Sequence, residues 1–503
     1  MSLSDMANTH ILPAQKVERL GLAHFMRRAL KECERTARDF DAESVHDLRV
    51  ALRRSRTIAD GLASVIPDKQ LRAVKKASKN LFGALGTLRD IQVMEEWLRK
   101  LSPEDDAIKA KLSGELATQE IQAKTAAARE LAEFDTRKWR RWARSLSDKS
   151  RAIPVGGLVF EHLALQRWIE AREAQRHATR SPSRVAWHRV RIALKRFRYT
   201  VENFLPRQYA EWADELKRAQ DLLGDVHDLD VLRAALHRLA HVLDANLLEM
   251  WFAKIDAARA EQLNAYRART KGRKSLWKLW RAGLPDGERL ERAAMATLTA
   301  WASFEDPDFE HSQHVKKLAL NLWDAFHDAG IHRIFNEPRS RRILEAAALL
   351  HDVGRARKDS GHHKISSKMI YNNAPPIGWT SDEMLWTALV ARYHRGAEPR
   401  ADHAGFSTLL PDERENVSWL AAVLRLADGL DADHKGRITG VSVESVHPAV
   451  MLRADGYVHD VESVGIIARK KHLLETLCGC AVIVQPMETL PIAAKGSVTS
   501  IAS

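Results

Sequence analysis

The last two fifths of the chain hold five histidines and two aspartates of the types that bind divalent metals: His311, the pair His351-Asp352, the pair His362-His363, His394, and Asp428 in the run LRLADGLDADH. Neutral imidazole nitrogen and carboxylate oxygen are the donors that borderline divalent metals select. Six such groups can hold two ions, and an adjacent His-Asp at a helix end places Asp352 to bridge them. The reaction this set would serve is metal-assisted hydrolysis at phosphorus, with the cations also drawing charge from the leaving oxygen. Taken singly, each histidine reads as a structural or surface residue. Concentration points to this part of the chain, because 13 of the 22 histidines lie beyond residue 300, and the joint reading rests on the constellation of the runs that carry them. Arg355, Lys364, Arg392, Arg395 and Arg425 supply cations for phosphate oxygens, and Asp352, Arg355 and Arg395 are expected to act in catalysis.

A second set of candidates is cationic and duplicated. HDLRVALRRSR in the segment 43–67 matches HRVRIALKRFR in 185–206, placing His46, Arg49, Arg53 and Arg56 on His188, Arg191, Lys195 and Arg198 at a constant offset of 142. Further on, Leu85-Gly86-x2-Arg89-Asp90-x2-Val93 matches Leu223-Gly224-x2-His227-Asp228-x2-Val231 at an offset of 138, with Lys79 falling on Lys217. The connection between the paired helices is therefore four residues longer in the first copy. On a helix, positions i, i+3, i+7 and i+10 lie within an arc of about 80°, so each set forms one basic stripe. Val45, Leu48 and Leu52 flank the first stripe, and Trp187, Val190, Leu194 and Phe197 the second, which lets an apolar seam pack while the stripe lines a wetter groove. Asp47 is the one acid within either stripe, so facing stripes would repel unless a polyanion neutralised them. Base readout in duplex nucleic acid needs amides or aromatics among the cations. The stripes contain neither over the four basic positions, which favours a ligand of repeating phosphates over nucleic acid.

These residues require particular elements to position them. Residues 10 to about 267 read as nearly continuous helix, with apolar residues recurring at three and four and few glycines or prolines. The segment 268–287, rich in Lys, Arg and Gly, reads as a connection between modules. Helices resume from Glu288 to about Asp433. Beyond Arg437, GVSVESV, AVMLRAD and CAVIV read as strands and HDVESVGIIARKKHLLETLCG as a helix. The expected division is 10–280, 285–435 and 436–487, with 496–503 disordered.

Composition bounds the rest. The chain has 503 residues, 45% hydrophobic and 29% charged, with a formal net charge of +13. These values exclude fibrous and largely disordered classes. Residues 1–300 carry 56 basic and 40 acidic side chains, whereas 301–503 carry 23 and 26, so any polyanion-attracting surface belongs to the first part. Three cysteines are too few for a disulfide framework and fit a reducing compartment. No signal segment opens the chain and no apolar run reaches a membrane span, so the expectation is a cytoplasmic protein without membrane association.

The repeated H-x2-R-x3-[KR]-x2-R helix and the LG-x2-[RH]-D-x2-V helix resemble the conserved-histidine α-helical domain, CHAD, over about residues 10–280. The resemblance implies two pseudo-symmetric four-helix bundles around a basic channel that binds inorganic polyphosphate, on granules where these form. The implied binding residues are His46, Arg49, Arg53, Arg56, Lys79, Arg89, His188, Arg191, Lys195, Arg198 and Lys217. One departure is Gln92, where the family tends to an acid and the second copy has Asp230.

ALLHDVG, GHHK, RYHR and LRLADGLD resemble the HD metal-dependent phosphohydrolases, and among them the HD module of the exopolyphosphatase and guanosine-pentaphosphate phosphatase family, over about residues 290–485. The resemblance implies an all-α HD domain with a small C-terminal α/β appendage, making the whole chain mainly α. The implied ligands are His311, His351, Asp352 and Asp428, with His363 and His394 as the additional ligands of a binuclear site for Mn, Fe, Co or Ni. The actin-like catalytic domains of that family have no counterpart here, so the substrate is left as polyphosphate or a nucleotide. The alternative is a polyphosphate-granule scaffold whose HD domain is structural.

Overall fold

The computed structural model describes residues 21–102 and 106–487, so the expectations for residues 10–20 and 496–503 lie outside the described residues. The chain divides into two compact units, Met1–Arg289 and Leu290–Ser503. It is mainly α, with a three-stranded sheet near the C-terminus.

The first half of the first unit comprises α1 (Leu22–Arg38), α2 (Ala42–Ala63), α3 (Lys69–Ala77), α4 (Lys79–Leu101), α5 (Ala107–Ala132) and α6 (Thr136–Lys149). The second comprises α7 (Leu158–Arg180), α8 (Arg184–Phe204), α9 (Pro206–Arg238), α10 (Ala245–Thr270) and α11 (Leu276–Ala282). The helices bearing the stripes start at side-chain caps. Asp41 accepts from the amides of Glu43 and Ser44 before α2, and Ser183 accepts from that of Ala186 before α8. The four extra residues of the first copy lie in the turn 64–68, where the second copy has only Leu205 between α8 and α9.

Helices α2 and α8 meet at a glycine. A Cβ at Gly61 would collide with the Phe204 ring, which itself stacks on Phe160 at 4.2 Å. Arg54 of α2 is ion-paired with Glu202 of α8, and the Asn203 amide donates to Thr57 Oγ1 at 3.3 Å. These contacts hold the two stripe helices against each other.

The segment 268–287 is more than a connection. Its middle forms α11, in which Trp277 and Trp280 are buried; Trp280 lies 5.6 Å from Phe197 and Trp277 lies 6.1 Å from Trp168. Two tryptophans three residues apart put enough apolar surface on one helix face to dock it, and composition rich in Lys, Arg and Gly concealed that pair.

From the boundary, α12 (Gly287–Glu305) leads into α13 (Phe309–Asp328), α14 (Pro338–Leu350), α15 (His362–Tyr371), α16 (Ser381–Arg392) and α17 (Pro411–Leu430). Leu318, Leu322, Ile343, Leu344, Val417 and Leu424 lie in one buried core of the second unit. The appendage follows as β1 (Gly440–Val446), β2 (Ala449–Asp455), α18 (Val461–Cys478) and β3 (Ala481–Pro486). Strand β2 is central, antiparallel to β1 and parallel to β3, with Val450 opposite Val482 and Leu452 opposite Val484 on the buried face. Among the described residues, no helix is long and apolar enough to cross a membrane.

Candidate functional site

Helix ends assemble the histidine and aspartate cluster. His311 lies in the first turn of α13, His351 and Asp352 follow α14, His362 opens α15, His394 follows α16 and Asp428 lies in the last turn of α17. A shared device orients three of the rings. His351, His362 and His394 donate Nδ1–H to the carbonyls of Ala348, Asp359 and Ala391, each three residues earlier, at 2.8, 2.8 and 2.7 Å. A carbonyl only accepts, so the nitrogen left to each ring for the cluster is Nε2. His311 is oriented instead by Asp431, whose Oδ2 is 2.8 Å from Nδ1.

The Nε2 atoms converge on two carboxylates. Asp428 Oδ1 lies 3.4 Å from His311 Nε2 and 3.8 Å from His351 Nε2, while Asp352 Oδ1 lies 2.9 Å from His362 Nε2 and 3.8 Å from His394 Nε2. The groups fall into His311, His351 and Asp428 on one side and Asp352, His362 and His394 on the other. His351 lies close enough to combine with Asp352 and His394 as well. His311 Nε2, His351 Nε2 and Asp352 Oδ1 are buried without a directed hydrogen bond. The orphaned lone pairs of His351 and Asp352 suit a divalent cation, and the donor set fits one once His311 gives up its proton to it.

Two cations hold the outer oxygens of these carboxylates. Arg355 Nη1 donates to Asp352 Oδ2 at 3.2 Å, and Lys470 of α18 is ion-paired with Asp428 and reaches the His394 carbonyl at 3.3 Å. Burial opposes ionisation of both aspartates, but the imidazoles around Asp352 and the Lys470 ammonium beside Asp428 hold both carboxyls well below the usual range. Burial also opposes charge on His311, yet Asp428 and Asp431 outweigh it and lift the ring to about 9; at His394 burial wins and keeps the ring neutral.

The expected histidine of the HH pair is exchanged. His362, not His363, faces the cluster, because Gly361 in the left-handed conformation (φ 77°) starts α15 with His362 turned inward. Gly354 makes that approach possible: a Cβ there would stand 2.7 Å from the His362 carbonyl oxygen, and its amide donates to Ser366 Oγ at 2.9 Å. His363 stands among Lys364, Arg392 and Arg395, and burial together with the neighbouring His362 and these cations lowers it to about 4. The bridging geometry expected of Asp352 is also altered, since Arg355 occupies its second oxygen. Arg425 donates to the carbonyls of Tyr393 (2.9 Å) and Gly396 (3.2 Å), so it shapes the loop after α16 rather than reaching for phosphate. Arg395 is exposed.

In the first unit, α2 and α8 bring Arg49, Arg53, Arg191 and Lys195 to a cavity of about 270 Å³ that Tyr199 and Gln220 also line. Nε of Arg49, Arg53 and Arg198 are buried donors without a partner. The groove is not purely cationic. Asp221, Asp225 and Asp228 of α9 line it, and Asp90 of α4 interacts with Arg49 and Arg191. The expectation that only an external polyanion relieves the repulsion is therefore corrected: neighbouring helices supply part of the counter-charge. Burial, then Arg191, Arg53 and Arg49, lower Lys195 to about 8, while burial lifts Asp228 to about 6 despite Arg191.

The other stripe residues divide. His46, Arg49, Arg89 and Gln92 line an adjoining cavity of about 340 Å³, and His188 Nδ1 lies 3.3 Å from His227 Nδ1. Arg56 donates to the Lys75 carbonyl (2.7 Å) and Ser78 Oγ (2.9 Å), tying the junction of α3 and α4. Lys79 and Lys217 are exposed.

Residues 21–237 match the CHAD domain family. The first unit carries a CHAD domain. Residues 295–453 match domain III of the Ppx/GppA phosphatases, a span that includes all six clustered metal-type residues but ends before α18 and Lys470. A solved structure, the CHAD domain from the plant Ricinus communis, aligns over 52% of this chain and 88% of its own at 22% identity, with a TM-score of 0.37. No curated protein matches the chain. Within the CHAD domain, Asp230 is paired with Arg184 (3.0 Å) and Arg259 (2.8 Å), tying α8, α9 and α10; Gln92 stands at its place in the first copy without that charge.

Sequence reasoning missed Asp431, His434, Lys470 and the aspartates facing the CHAD stripes. His434 adopts a positive φ of 56°, stacks on His311 at 3.8 Å and pairs with Asp308 at 2.6 Å. Asp431 sat in the visible LADGLDADH run. Lys470 had no local signal, because its partner comes from a distant element; Asp90 and Asp228 stood in the duplicated LG-x2-[RH]-D-x2-V pattern, which did not show the cations they meet.

Proposed function

We propose that this protein binds inorganic polyphosphate through the channel of its CHAD domain and hydrolyses a phosphoanhydride or phosphoester at an HD-type metal site in its second unit, the substrate being polyphosphate or a nucleotide. The observation that carries the reading is the four imidazoles whose outer nitrogens are tied off and whose Nε2 atoms converge on Asp352 and Asp428. The matches to a CHAD domain and to Ppx/GppA domain III support the phosphate chemistry. His311, His351 and Asp428 would hold one divalent ion and Asp352, His362 and His394 a second, of the Mn, Fe, Co or Ni kind. Such ions supply Lewis acidity toward a phosphoryl oxygen. Around them, Arg355 orients Asp352, Asp431 orients the His311 ring, and Lys364, Arg392 and Arg395 offer cations to substrate oxygens.

The scaffold reading draws on one observation. Lys470 supplies positive charge to Asp428 without a metal, as a structural domain would. Metal analysis of the purified chain, with phosphate release from polyphosphate and from nucleotides, separates the two. Stoichiometric metal and an activity that Asp428→Ala abolishes support the enzyme; absence of metal after loading with Mn, Fe, Co or Ni, together with no phosphate release, leaves the scaffold.

A further inference from the structure

A second cationic cavity lies in the first unit, away from the stripes. It measures about 830 Å³ and is lined by Arg172, Arg176 and Arg180 of α7, by Lys271 after α10, and by Lys278 and Arg281 of α11, with Trp168 and Trp277 also in its wall. Residues 172, 176 and 180 follow at intervals of four, which keeps them on one helix face. No carboxylate lines the cavity. Among the described residues none of the six cations is ion-paired, whereas the channel stripes face four aspartates. Arg281 donates to the Leu284 carbonyl at 3.2 Å, and the Arg172 guanidinium lies 5.8 Å from the Trp277 ring.

The cavity is absent from the internal repeat. At the offset of 142, Arg172 and Arg176 fall on Leu30 and Glu34, and only Arg180 falls on a cation, Arg38. Three of the six cations lie beyond the residues that match the CHAD domain. One indole of the wall is partly open to it: Trp168 is half-buried, whereas Trp277, 1% exposed, packs behind it. Unpaired cations call for several negative charges. An accessible indole calls for a flat ring to lie against it. Polyphosphate alone would satisfy the cations and leave Trp168 uncovered.

We propose that this cavity binds a nucleoside polyphosphate, its phosphates on Arg176, Arg180, Lys271 and Lys278 and its base against Trp168. The volume suits a ligand of that size, and burial and Arg176 both depress the Arg172 guanidinium, a strain that an anion relieves. The site is independent of the reading proposed for the second unit.

The test is ATP binding to the full chain by isothermal titration calorimetry, in buffer with EDTA so that no metal-dependent hydrolysis intrudes. ATP is expected to bind about tenfold more tightly than inorganic tripolyphosphate, because only ATP has a base to lay against Trp168. Arg176→Glu with Lys278→Glu, both exposed positions, is expected to weaken ATP by at least about tenfold while long-chain polyphosphate binding stays within about twofold. Equal affinity of the wild type for ATP and tripolyphosphate overturns the nucleotide assignment without recourse to any variant. Unchanged ATP affinity in the double variant, folded by circular dichroism, overturns the site. Parallel loss of ATP and polyphosphate binding identifies a single anion surface and also overturns it.

Discussion

The cations of the CHAD channel stand along the middle of two long helices, whereas the metal-type donors of the second unit stand at the ends of five. A helix interior repeats its geometry every few residues, so a stripe spreads its charge and each member contributes a share. A helix end offers carbonyls that the helix leaves unbonded, and His351 and His394 use them to fix their rings, while His362 uses the Asp359 carbonyl of the turn before its helix. The difference predicts distributed, salt-sensitive binding in one unit and all-or-none assembly in the other. Both regions compensate charge internally, but the channel does so with acids opposite its cations, and the cluster with cations behind its acids.

The largest effect is expected where the convergence is tightest. His362→Ala should release bound metal, exceeding the roughly 10- to 100-fold loss of affinity that a change outside the ligand shell produces. His363→Ala should retain the metal and alter only interactions with substrate phosphate. Elemental analysis after gel filtration reads the contrast, and the opposite ranking would sink the assignment of the inward-facing histidine.

The channel should respond more gradually. Arg49→Glu with Arg191→Glu should weaken polyphosphate binding far more than Arg140→Glu with Arg141→Glu, and each cation removed from the stripes should lower the slope of log K against log salt by roughly 0.7. Arg56→Ala should chiefly lower Tm, because that guanidinium ties Ser78 and the Lys75 carbonyl. A slope unchanged by the channel reversals would mean that polyphosphate binds elsewhere.

The smallest effect is a pH dependence of the channel. Asp228 near 6 gains a negative charge as pH rises through that value, and Lys195 near 8 loses its positive charge at the higher step. Both changes oppose a polyanion. Affinity should therefore fall in two shallow steps between about pH 5 and 9, each about severalfold, while internal phosphates of the ligand keep their single charges. Titrations at constant ionic strength check this, and Asp228→Asn should remove the lower step. A flat profile in the wild type would remove these two groups from the binding surface.

Much of the architecture was legible because its signals are local. The apolar seam beside His46 and Arg49, the duplicated spacing in α2 and α8, and the order of strand, strand, helix and strand after residue 437 all follow from the periods of helix and strand. The same locality explains the misreading of 268–287, where Lys, Arg and Gly disguised the buried face of Trp277 and Trp280. It also explains the choice of His363: adjacent histidines are equivalent in composition, and only the positive φ of Gly361 and the close approach at Gly354 turn one of them inward.

The sequence by itself determined the residue types, their helical spacing and the concentration of cations in one part and histidines in the other, since periodicity and charge are carried by the chain however it folds. Tertiary structure alone decided which charges meet. Asp90 and Asp228 face the stripes because α4 and α9 pack beside α2 and α8, and Lys470 reaches Asp428, forty-two residues away, because α18 packs on α17. Electrostatic compensation depends on distance in space, and no spacing along the chain encodes it.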